Sequence, residues 1–361
     1  MIRPVELELV KELLVEPGEG VFTIHTGKEF KDSIKHFYKK SSDKPISLND
    51  LPFTILGIPF DGGAGIIRGS NWGPLFLRKC LLENANEYFH LTSGDIGDLK
   101  INPHLLEDSL LNTSTIKNLQ AAMFEGKDLP VSALSQLEVV SKILFTNVKK
   151  CFFFGGDHSI SYPIVKSWLA SNNTSSKEKK AIIHFDAHTD LLEKRLGIEH
   201  CFGTWAYHAS KILHHPSHLL QFGIRSSGKN KEHWEKTLGI KQWWATEIHH
   251  RVPENNWIIE AVAHLKNLGI THLYLSFDVD VLDPQYLSCT GTAESAGLAP
   301  HHLIDLLTEL KKHFTFDGMD VVELAPFIQS PLKPMHTLEP ENSLLNLKQI
   351  LSKIIHDIII I

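Results

Sequence analysis

Asp186, His188 and Asp190 occupy every second position of the stretch HFDAHTD, residues 184–190. The apolar run AIIHF leads into this stretch and predicts a buried β-strand. Alternate side chains of an extended segment lie on one face, so the two carboxylates and the imidazole should lie together. Such a group would be repulsive or unsatisfied in an ordinary core. The stretch therefore predicts a bound cation.

Two further polar stretches offer the same side-chain chemistry. FFFGGDHSIS, residues 152–161, carries His158 after two glycines, and LSFDVDVLDP, residues 275–284, carries Asp278 and Asp280. With HFDAHTD they supply four carboxylates and two imidazoles. Clustered carboxylates raise one another's pKa unless cations lie among them, and two divalent ions would balance their charge. These ligands suit manganese, iron, cobalt, nickel or zinc, and their chemistry does not choose among these metals.

Two other aspartates in these stretches have a structural interpretation. Asp157 precedes His158, and Asp283 precedes a proline. Aspartates at strand ends commonly cap helices or form turns. We therefore expect Asp283 to be structural and Asp157 to support the site from a loop.

Strand-like and helix-like segments alternate along the chain around these residues. Short β-rich runs occur at FTILGIP, KCFFFG, AIIHFD, LLQFGI, THLYLSFDVD and GMDVVEL, and helix-like segments lie between most of them. This alternation predicts an α/β fold with a mostly parallel sheet covered by helices on both faces. Ligand sites of such sheets lie at the carboxyl ends of the strands, where the three polar stretches fall. Residues 107–130 look irregular and are expected to form an insertion.

Charge and composition narrow the class of partner. The formal net charge of −6 argues against a nucleic-acid or anionic-membrane partner, and no apolar run approaches the roughly 20 residues that span a bilayer. The N-terminal stretch MIRPVELELVKELL carries acidic residues and no apolar signal core, which predicts a cytoplasmic protein. The four scattered cysteines are then expected to be reduced thiols.

The stretches GGDHS, DAHTD and SFDVDVLDP closely resemble three signature stretches of the arginase/agmatinase (ureohydrolase) family. The resemblance extends to GIPFDGGAGIIRGSNWGP near residue 57, SGDIGD near 93, TGTAESAGL at 290 and MDVVELAP at 319. It implies a three-layer fold with an open, mostly parallel eight-stranded sheet and helices on both faces. Residues 51–361 would form this metallohydrolase domain, preceded by an extension of unknown role at residues 1–50.

The resemblance also implies a centre of two manganese ions that hydrolyses a C–N bond of a guanidino or formimino compound. One ion would be held by His158, Asp186, Asp190 and Asp278, and the second by Asp186, His188, Asp278 and Asp280. The ions would activate water to attack the guanidinium carbon, and Asp190 would orient that water.

Two more residues complete the implied site. Glu323 in VVELAP matches the glutamate that pairs with the guanidinium, and a planar carboxylate suits that cation. His200 in GIEHCFGTWA lies where the family carries a histidine that shuttles protons or contacts the substrate. The spacing here is two residues longer than the H-G-T of the agmatinase branch.

The loop LLEKRLGIEHCFGTW, residues 191–205, bears on the substrate. Arginases carry a Thr/Ser/Asn-rich segment here that grips an α-amino acid, and this chain lacks it, so agmatine or a guanidino acid is favoured over arginine. Glu193 or Glu199 could meet a substrate amine, and Lys194 or Arg195 a carboxylate. Formimidoylglutamase and arginase activities on the same fold remain alternatives, followed by a deacetylase-like enzyme and a non-catalytic metal-binding module.

The isoleucine-rich tail LKQILSKIIHDIIII, residues 347–361, is interpreted as core packing. A second interpretation is a subunit interface. Members of the family are usually trimers or hexamers, so the resemblance implies a homo-oligomer.

Overall fold

The structure is a computed structural model. It describes residues 4–22, 53–65, 67–82, 94–173, 175–250, 256–328 and 340–360. Within these ranges, no helix is long and apolar enough to cross a bilayer.

A nine-stranded sheet forms the middle layer. Its strands are β1 Leu14–Val15, β2 Thr54–Gly57, β3 Asp95–Leu99, β4 Cys151–Phe154, β5 Lys180–Phe185, β6 Leu219–Phe222, β7 Lys241–Trp243, β8 His272–Asp278 and β9 Thr315–Val322. They lie in the order β1-β3-β2-β4-β9-β8-β5-β6-β7. Strands β2 to β9 are mutually parallel, and only the pairing of β1 with β3 is antiparallel. The predicted parallel sheet of eight strands is therefore confirmed, with one short edge strand added.

Helices cover both faces of the sheet. The α-helices are Pro4–Leu13, Gly73–Leu82, Thr113–Phe124, Ala133–Asn147, Ser161–Ala170, Trp205–Ile212, Lys231–Leu238, Ala245–His250, Asn256–Asn267, Pro300–Lys311 and Glu341–Ser352, and a π-helix spans Lys353–Ile360. Side chains of β4 alternate between two buried hydrophobic clusters. Phe152 and Phe154 pack in one cluster, whereas Cys151 and Phe153 pack in the other. This alternation gives the three layers that the sequence predicts.

The four central strands carry the predicted site. In the order β4, β9, β8 and β5, each neighbouring pair is hydrogen-bonded and parallel. His158, Glu323, Asp278 and Asp186 follow or end these four strands in turn. Because carboxyl ends of parallel strands meet at one edge, residues far apart in the sequence converge there.

Residues before the predicted domain boundary contact the sheet. Strand β1 pairs with β3, and the Asp98 Oδ2 atom accepts hydrogen bonds from the backbone N–H groups of Gly18 (2.9 Å) and Gly20 (3.1 Å). Residues 23–52 lie outside the described residues. The boundary at residue 50 stays a prediction.

The prediction that residues 107–130 are irregular is wrong. Thr113–Phe124 is an α-helix that begins after Asn112, whose side chain accepts a hydrogen bond from the Thr115 N–H group (2.9 Å). Phe124 is the one fully buried residue of this helix, and Ile116, Leu119 and Met123 are partly buried against the same core. These four residues have helical spacing, so their pattern and the N-cap asparagine were the available signals.

The tail packs into the core, as predicted. Ile354, Ile355, Ile358 and Ile359 are buried in the cluster that also contains Phe152 and Phe154. The homo-oligomer stays a prediction.

Candidate metal centre

A glycine turn after β4 places His158 at the edge of the sheet. A Cβ atom on Gly156 would lie 1.6 Å from the Phe60 carbonyl oxygen, so only glycine fits this approach. Asp157 then accepts hydrogen bonds from the N–H groups of Gly63 and Ser159, both at 2.8 Å. This aspartate thus supports the loop, as the sequence indicates. The His158 imidazole that follows it is buried.

The two ring nitrogens of His158 have different surroundings. The Nε2 atom lies 3.0 Å from the Ser276 hydroxyl, which itself donates to the Asp320 carboxylate at 2.8 Å. Because the serine hydrogen is used by Asp320, Nε2 must donate its own, so the neutral imidazole carries its lone pair on Nδ1. Nδ1 has no hydrogen-bond partner, although the Oδ2 atoms of Asp186, Asp190 and Asp278 lie at 3.3, 3.2 and 3.1 Å from it.

The stretch after β5 supplies two carboxylates and an imidazole. The Asp186 Oδ1 atom accepts from the His188 backbone N–H group (2.6 Å), and the His188 Nδ1 atom lies 3.0 Å from Asp280 Oδ2. Asp190 adopts a left-handed backbone conformation with φ of 51°, and its Oδ2 atom accepts from the Trp205 indole N–H group (3.0 Å). A positive φ at a non-glycine residue is unfavourable and often marks a functional position.

The end of β8 supplies the remaining pair. A 3₁₀-helix at Val279–Val281 turns the chain so that the Asp280 N–H group donates to Asp278 Oδ1 (2.8 Å). Asp280 is held by the Ala187 N–H group and the Thr292 hydroxyl, both at 3.0 Å. The carboxylates are therefore fixed by backbone turns and neighbouring side chains.

Arg225, which follows β6, joins the loops around this pair. Its guanidinium donates to the backbone carbonyl oxygens of Asp280 (2.6 Å) and Glu294 (3.0 Å), among others. The Glu294 carboxylate lies 3.6 Å from the His188 Nε2 atom at the open side of the cluster. The sequence analysis did not single out either residue.

Burial and mutual repulsion control the protonation of the cluster. Burial raises the pKa of Asp278 well above its usual range, and the charges of Asp280 and Asp186 raise it further. Burial and the Asp186 charge likewise raise the pKa of Asp190. Burial lowers the pKa of His188, but Asp280 and Asp186 outweigh it and raise this pKa to about 12. Without a cation among them, the carboxylates of the site therefore oppose one another's ionisation.

The residues present fit a metal site. The six predicted ligands are brought together. Two groups of side chains have ligand atoms that all lie within 4.8 Å of one another. One group is His158, Asp186, Asp190 and the additional residue His184, and the other is Asp186, His188 and Asp280. Asp186 belongs to both groups. A buried imidazole lone pair facing three carboxylates without a hydrogen bond is what a cation between them would satisfy.

His184 is a functional candidate that the sequence analysis missed. Its Nε2 atom lies 2.8 Å from Asp186 Oδ2, and its side chain is fully buried. It shares the every-second-position spacing of Asp186, His188 and Asp190, so this spacing was the available signal. His184 is the one polar residue of the apolar run AIIHF, which is why the run predicts only a buried strand there.

Glu323 lies beside His158 at the end of β9. Its Oε1 atom accepts from the His158 N–H group (2.8 Å), its own N–H group donates to the Gly156 carbonyl, and its φ is 63°. Burial raises the pKa of Glu323 well above its usual range, and the Asp157 charge adds to this shift. A cationic group at this position would favour the ionised carboxylate.

His200 contacts residues outside the carboxylate cluster. Its Nδ1 atom lies 2.6 Å from Glu107 Oε1, its ring stacks on Tyr162 with centroids 4.6 Å apart, and the His208 ring lies edge-on at 4.7 Å. None of these three neighbours is a predicted metal ligand. Tyr162 lies in the first turn of the helix that follows His158. The aromatic stack is therefore next to the turn that carries this predicted metal ligand.

The loop after Asp190 forms a tight hairpin. Arg195 and Ile198 exchange two backbone hydrogen bonds (2.9 and 3.0 Å) around Leu196 and Gly197, both of which have positive φ. This matches a type I′ turn. Three of the four charged residues proposed to meet a substrate have contacts within the loop: Lys194 pairs with Glu199 at 2.7 Å, and Arg195 lies over the Phe202 ring at 4.6 Å.

Comparisons with known proteins agree with this geometry. A model of the arginase family matches residues 51–334. An agmatinase of Escherichia coli O9:H4 is 29% identical over 280 residues, covering 77% of this chain and 81% of its own.

Solved structures resemble the fold at low sequence identity. Proclavaminate amidino hydrolase from Streptomyces clavuligerus has a TM-score of 0.62 and 18% identity, covering 88% of this chain and 97% of its own. Formimidoylglutamase from Bacillus subtilis has a TM-score of 0.63 and 17% identity, covering 90% of this chain and 97% of its own. These two likenesses show the fold alone.

Proposed function

The chain belongs to the arginase family, and from this premise we propose that it hydrolyses a C–N bond of a linear guanidino compound, releasing urea and an amine. The observation that carries the proposal is the buried cluster in which the His158 Nδ1 lone pair faces three carboxylates without a hydrogen bond. A site so charged and so enclosed suits divalent ions.

We assign two manganese ions to this cluster. One would be held by His158, Asp186, Asp190 and Asp278, and the other by Asp186, His188, Asp278 and Asp280. The contacts of the His158 and His188 Nδ1 atoms with these carboxylates support the assignment. When bound, the ions supply Lewis acidity and lower the pKa of water at the site.

The protein side chains then have separate tasks. Asp190, oriented by the Trp205 indole, accepts a hydrogen bond from the attacking water and so directs the water's lone pair towards the substrate carbon. Glu323 offers its carboxylate to the planar guanidinium, for which a two-oxygen partner is well shaped. The buried position of both acids keeps competing water away.

The substrate is proposed to be agmatine or a guanidino acid. The absence of an arginase-type Thr/Ser/Asn-rich segment in residues 191–205 supports this choice, and the agmatinase relative points the same way. Formimidoylglutamase and arginase activities are the alternatives on this fold. A deacetylase-like enzyme would need fewer ligands than this cluster offers.

A metal and substrate assay tests the proposal. Purified protein should bind about two manganese ions per chain, lose activity on chelation and regain it with manganese. Urea release from agmatine or a guanidino acid should exceed that from arginine by about 10²–10⁴ in kcat/KM, because a site without partners for the α-amino acid group leaves it unpaired.

The other outcomes of that assay are distinct. Release of formamide and glutamate from formiminoglutamate, with no urea from the guanidino compounds, would favour the formimidoylglutamase alternative. Efficient urea release from arginine with agmatine inert would show that the loop was misinterpreted. Full activity in protein stripped of metal would overturn the proposed centre.

We further propose that His200 transfers a proton to the departing amine. Its Nδ1 atom bonded to Glu107 supports this role, since the contact fixes the ring and leaves Nε2 for exchange. His200→Asn should lower kcat by about 10²-fold, the usual scale for losing a general acid, and added imidazole should restore part of the lost activity.

His208→Asn is the matched control, because this histidine lies in the same stack but bonds to the Glu193 carbonyl. Equal losses in both variants, without imidazole rescue, would indicate a packing role.

A further inference from the structure

A line of fully buried polar side chains extends sideways from Asp186 through the sheet. His184 on β5 lies opposite Gln221 on β6, which in turn lies opposite Gln242 on β7. Residues paired across parallel strands point to the same face, so the three side chains lie in a row. Trp244, half-buried just after β7, ends the row. Burying a glutamine side chain lowers the stability of the fold unless its amide group is hydrogen-bonded.

Continuous hydrogen bonds connect the row. The His184 Nε2 atom lies 2.8 Å from Asp186 Oδ2, and the Gln221 Nε2 atom lies 2.9 Å from His184 Nδ1. The Gln242 Nε2 atom donates to Gln221 Oε1 at 2.7 Å, and the Trp244 indole N–H group donates to Gln242 Oε1 at 3.0 Å.

The tryptophan fixes the direction of every bond in the row. An indole nitrogen can only donate, so it must meet the oxygen of Gln242 and turn the Gln242 amide nitrogen towards Gln221. Gln221 must then accept through its oxygen and donate through its nitrogen, which also donates to the Thr189 carbonyl (2.7 Å). The His184 Nδ1 atom is left to accept, and its hydrogen lies on Nε2, directed at Asp186.

We propose that Trp244, Gln242, Gln221 and His184 form a relay of positioning residues that orients Asp186 to hold the proposed ions. The inference rests on the proposed metal centre. His184 is not itself a ligand, because both of its ring nitrogens are already engaged. His158 differs, since its Nδ1 atom has no hydrogen-bond partner.

The relay fixes one oxygen of Asp186 before metal binds, and the backbone fixes the other. Oδ1 accepts from the His188 N–H group and Oδ2 from His184. Oδ1 also lies 3.5 Å from His188 Nδ1, and Oδ2 lies 3.3 Å from His158 Nδ1, so both oxygens face predicted ligands. Residues that orient a ligand in this way typically change metal affinity by about 10–100-fold when they are lost.

Gln221→Leu tests the relay. The substitution keeps the size of the side chain but removes the donor that sets the His184 tautomer, so manganese affinity should fall by about 10–100-fold. The measurement is titration of metal-stripped protein with manganese against a competing chelator, which needs no activity assay.

Gln136→Leu is the matched control. Gln136 is also a fully buried glutamine, but its side-chain nitrogen and oxygen have no hydrogen-bond partner. Its substitution should leave manganese affinity unchanged. A Gln221→Leu protein that binds manganese as tightly as wild type would overturn the relay. Wild-type protein that binds no manganese would instead overturn the proposed function.

Two further variants separate positioning from packing. His184→Gln can still place an amide N–H group near Asp186, so it should retain more manganese affinity than His184→Leu. Should Gln221→Leu fail to fold, Trp244→Phe removes the indole N–H group at a half-buried position, and affinity should fall by about threefold, the scale of one hydrogen bond. No change in Trp244→Phe together with equal losses in the two His184 variants would contradict the relay.

Discussion

Asp278→Asn is expected to prevent binding of both metal ions and to lower kcat/KM by at least about 10³-fold, because the assigned ions share this carboxylate. The Asp278 Oδ1 atom is committed to the Asp280 N–H group (2.8 Å), while Oδ2 faces His158 Nδ1 (3.1 Å). In the asparagine variant the amide oxygen must stay with the N–H group. The amide nitrogen would then face the cluster, where it cannot ligate a cation. Metal content and kinetics on one preparation measure the effect.

A loss of fold would give the same kinetic result, so stability must be measured with it. Burial and the charges of Asp280 and Asp186 oppose ionisation of Asp278. The thermal midpoint of metal-stripped Asp278→Asn should therefore equal or exceed that of metal-stripped wild type, because the variant lacks a buried carboxylate that Asp280 and Asp186 repel.

Asp283→Asn provides the matched control. Its carboxylate accepts from the N–H groups of Gln285 and Gly297, both at 3.0 Å, as expected of a structural turn aspartate. This variant should retain its metal. Two ions retained in Asp278→Asn would contradict the bridging assignment.

The strands that could be predicted from the sequence are the apolar ones. β4 and β5 are nearly continuous runs of large hydrophobic residues, as expected of strands buried on both faces. β3 was missed because its sequence DIGDL is half polar. Its Asp95 and Asp98 carboxylates are buried against Arg78, with Arg78 Nε 2.9 Å from Asp95 Oδ2. A buried ion-pair network therefore replaces the hydrophobic pattern on which the prediction depends.

The ligand cluster could be predicted because each member lies at or after a recognisable strand end. Contacts between distant segments could not be predicted from the sequence. His200 pairs with Glu107, 93 positions away and in a segment that had been interpreted as irregular. The relay behind Asp186 depends on the register of β5, β6 and β7, and β7 has only three residues. Sequence periodicity gives the face of a side chain but not the neighbour across the sheet.

Glu323→Gln is expected to lower kcat/KM by at least about 10²-fold, or about 3 kcal/mol, while metal content and folding stay near normal. The contact with the His158 N–H group should survive, since a glutamine oxygen can accept it as Glu323 Oε1 does (2.8 Å). What disappears is the negative charge. A guanidinium placed beside two divalent ions is electrostatically unfavourable without an anion to offset it, and Glu323 is the proposed anion. The contact should strengthen as the planar carbon becomes tetrahedral and its nitrogens become better hydrogen-bonding groups, so kcat should fall as well as kcat/KM.

Inhibitor binding separates this role from a structural one. A guanidinium competitive inhibitor should bind Glu323→Gln more weakly than wild type, whereas a neutral inhibitor of the same shape should be affected far less. Metal stoichiometry and thermal midpoint are measured on the same preparation. Loss of metal or of the folded state would make Glu323 a structural residue that holds the His158 turn. Wild-type kinetics with both inhibitors unaffected would show that another group meets the guanidinium.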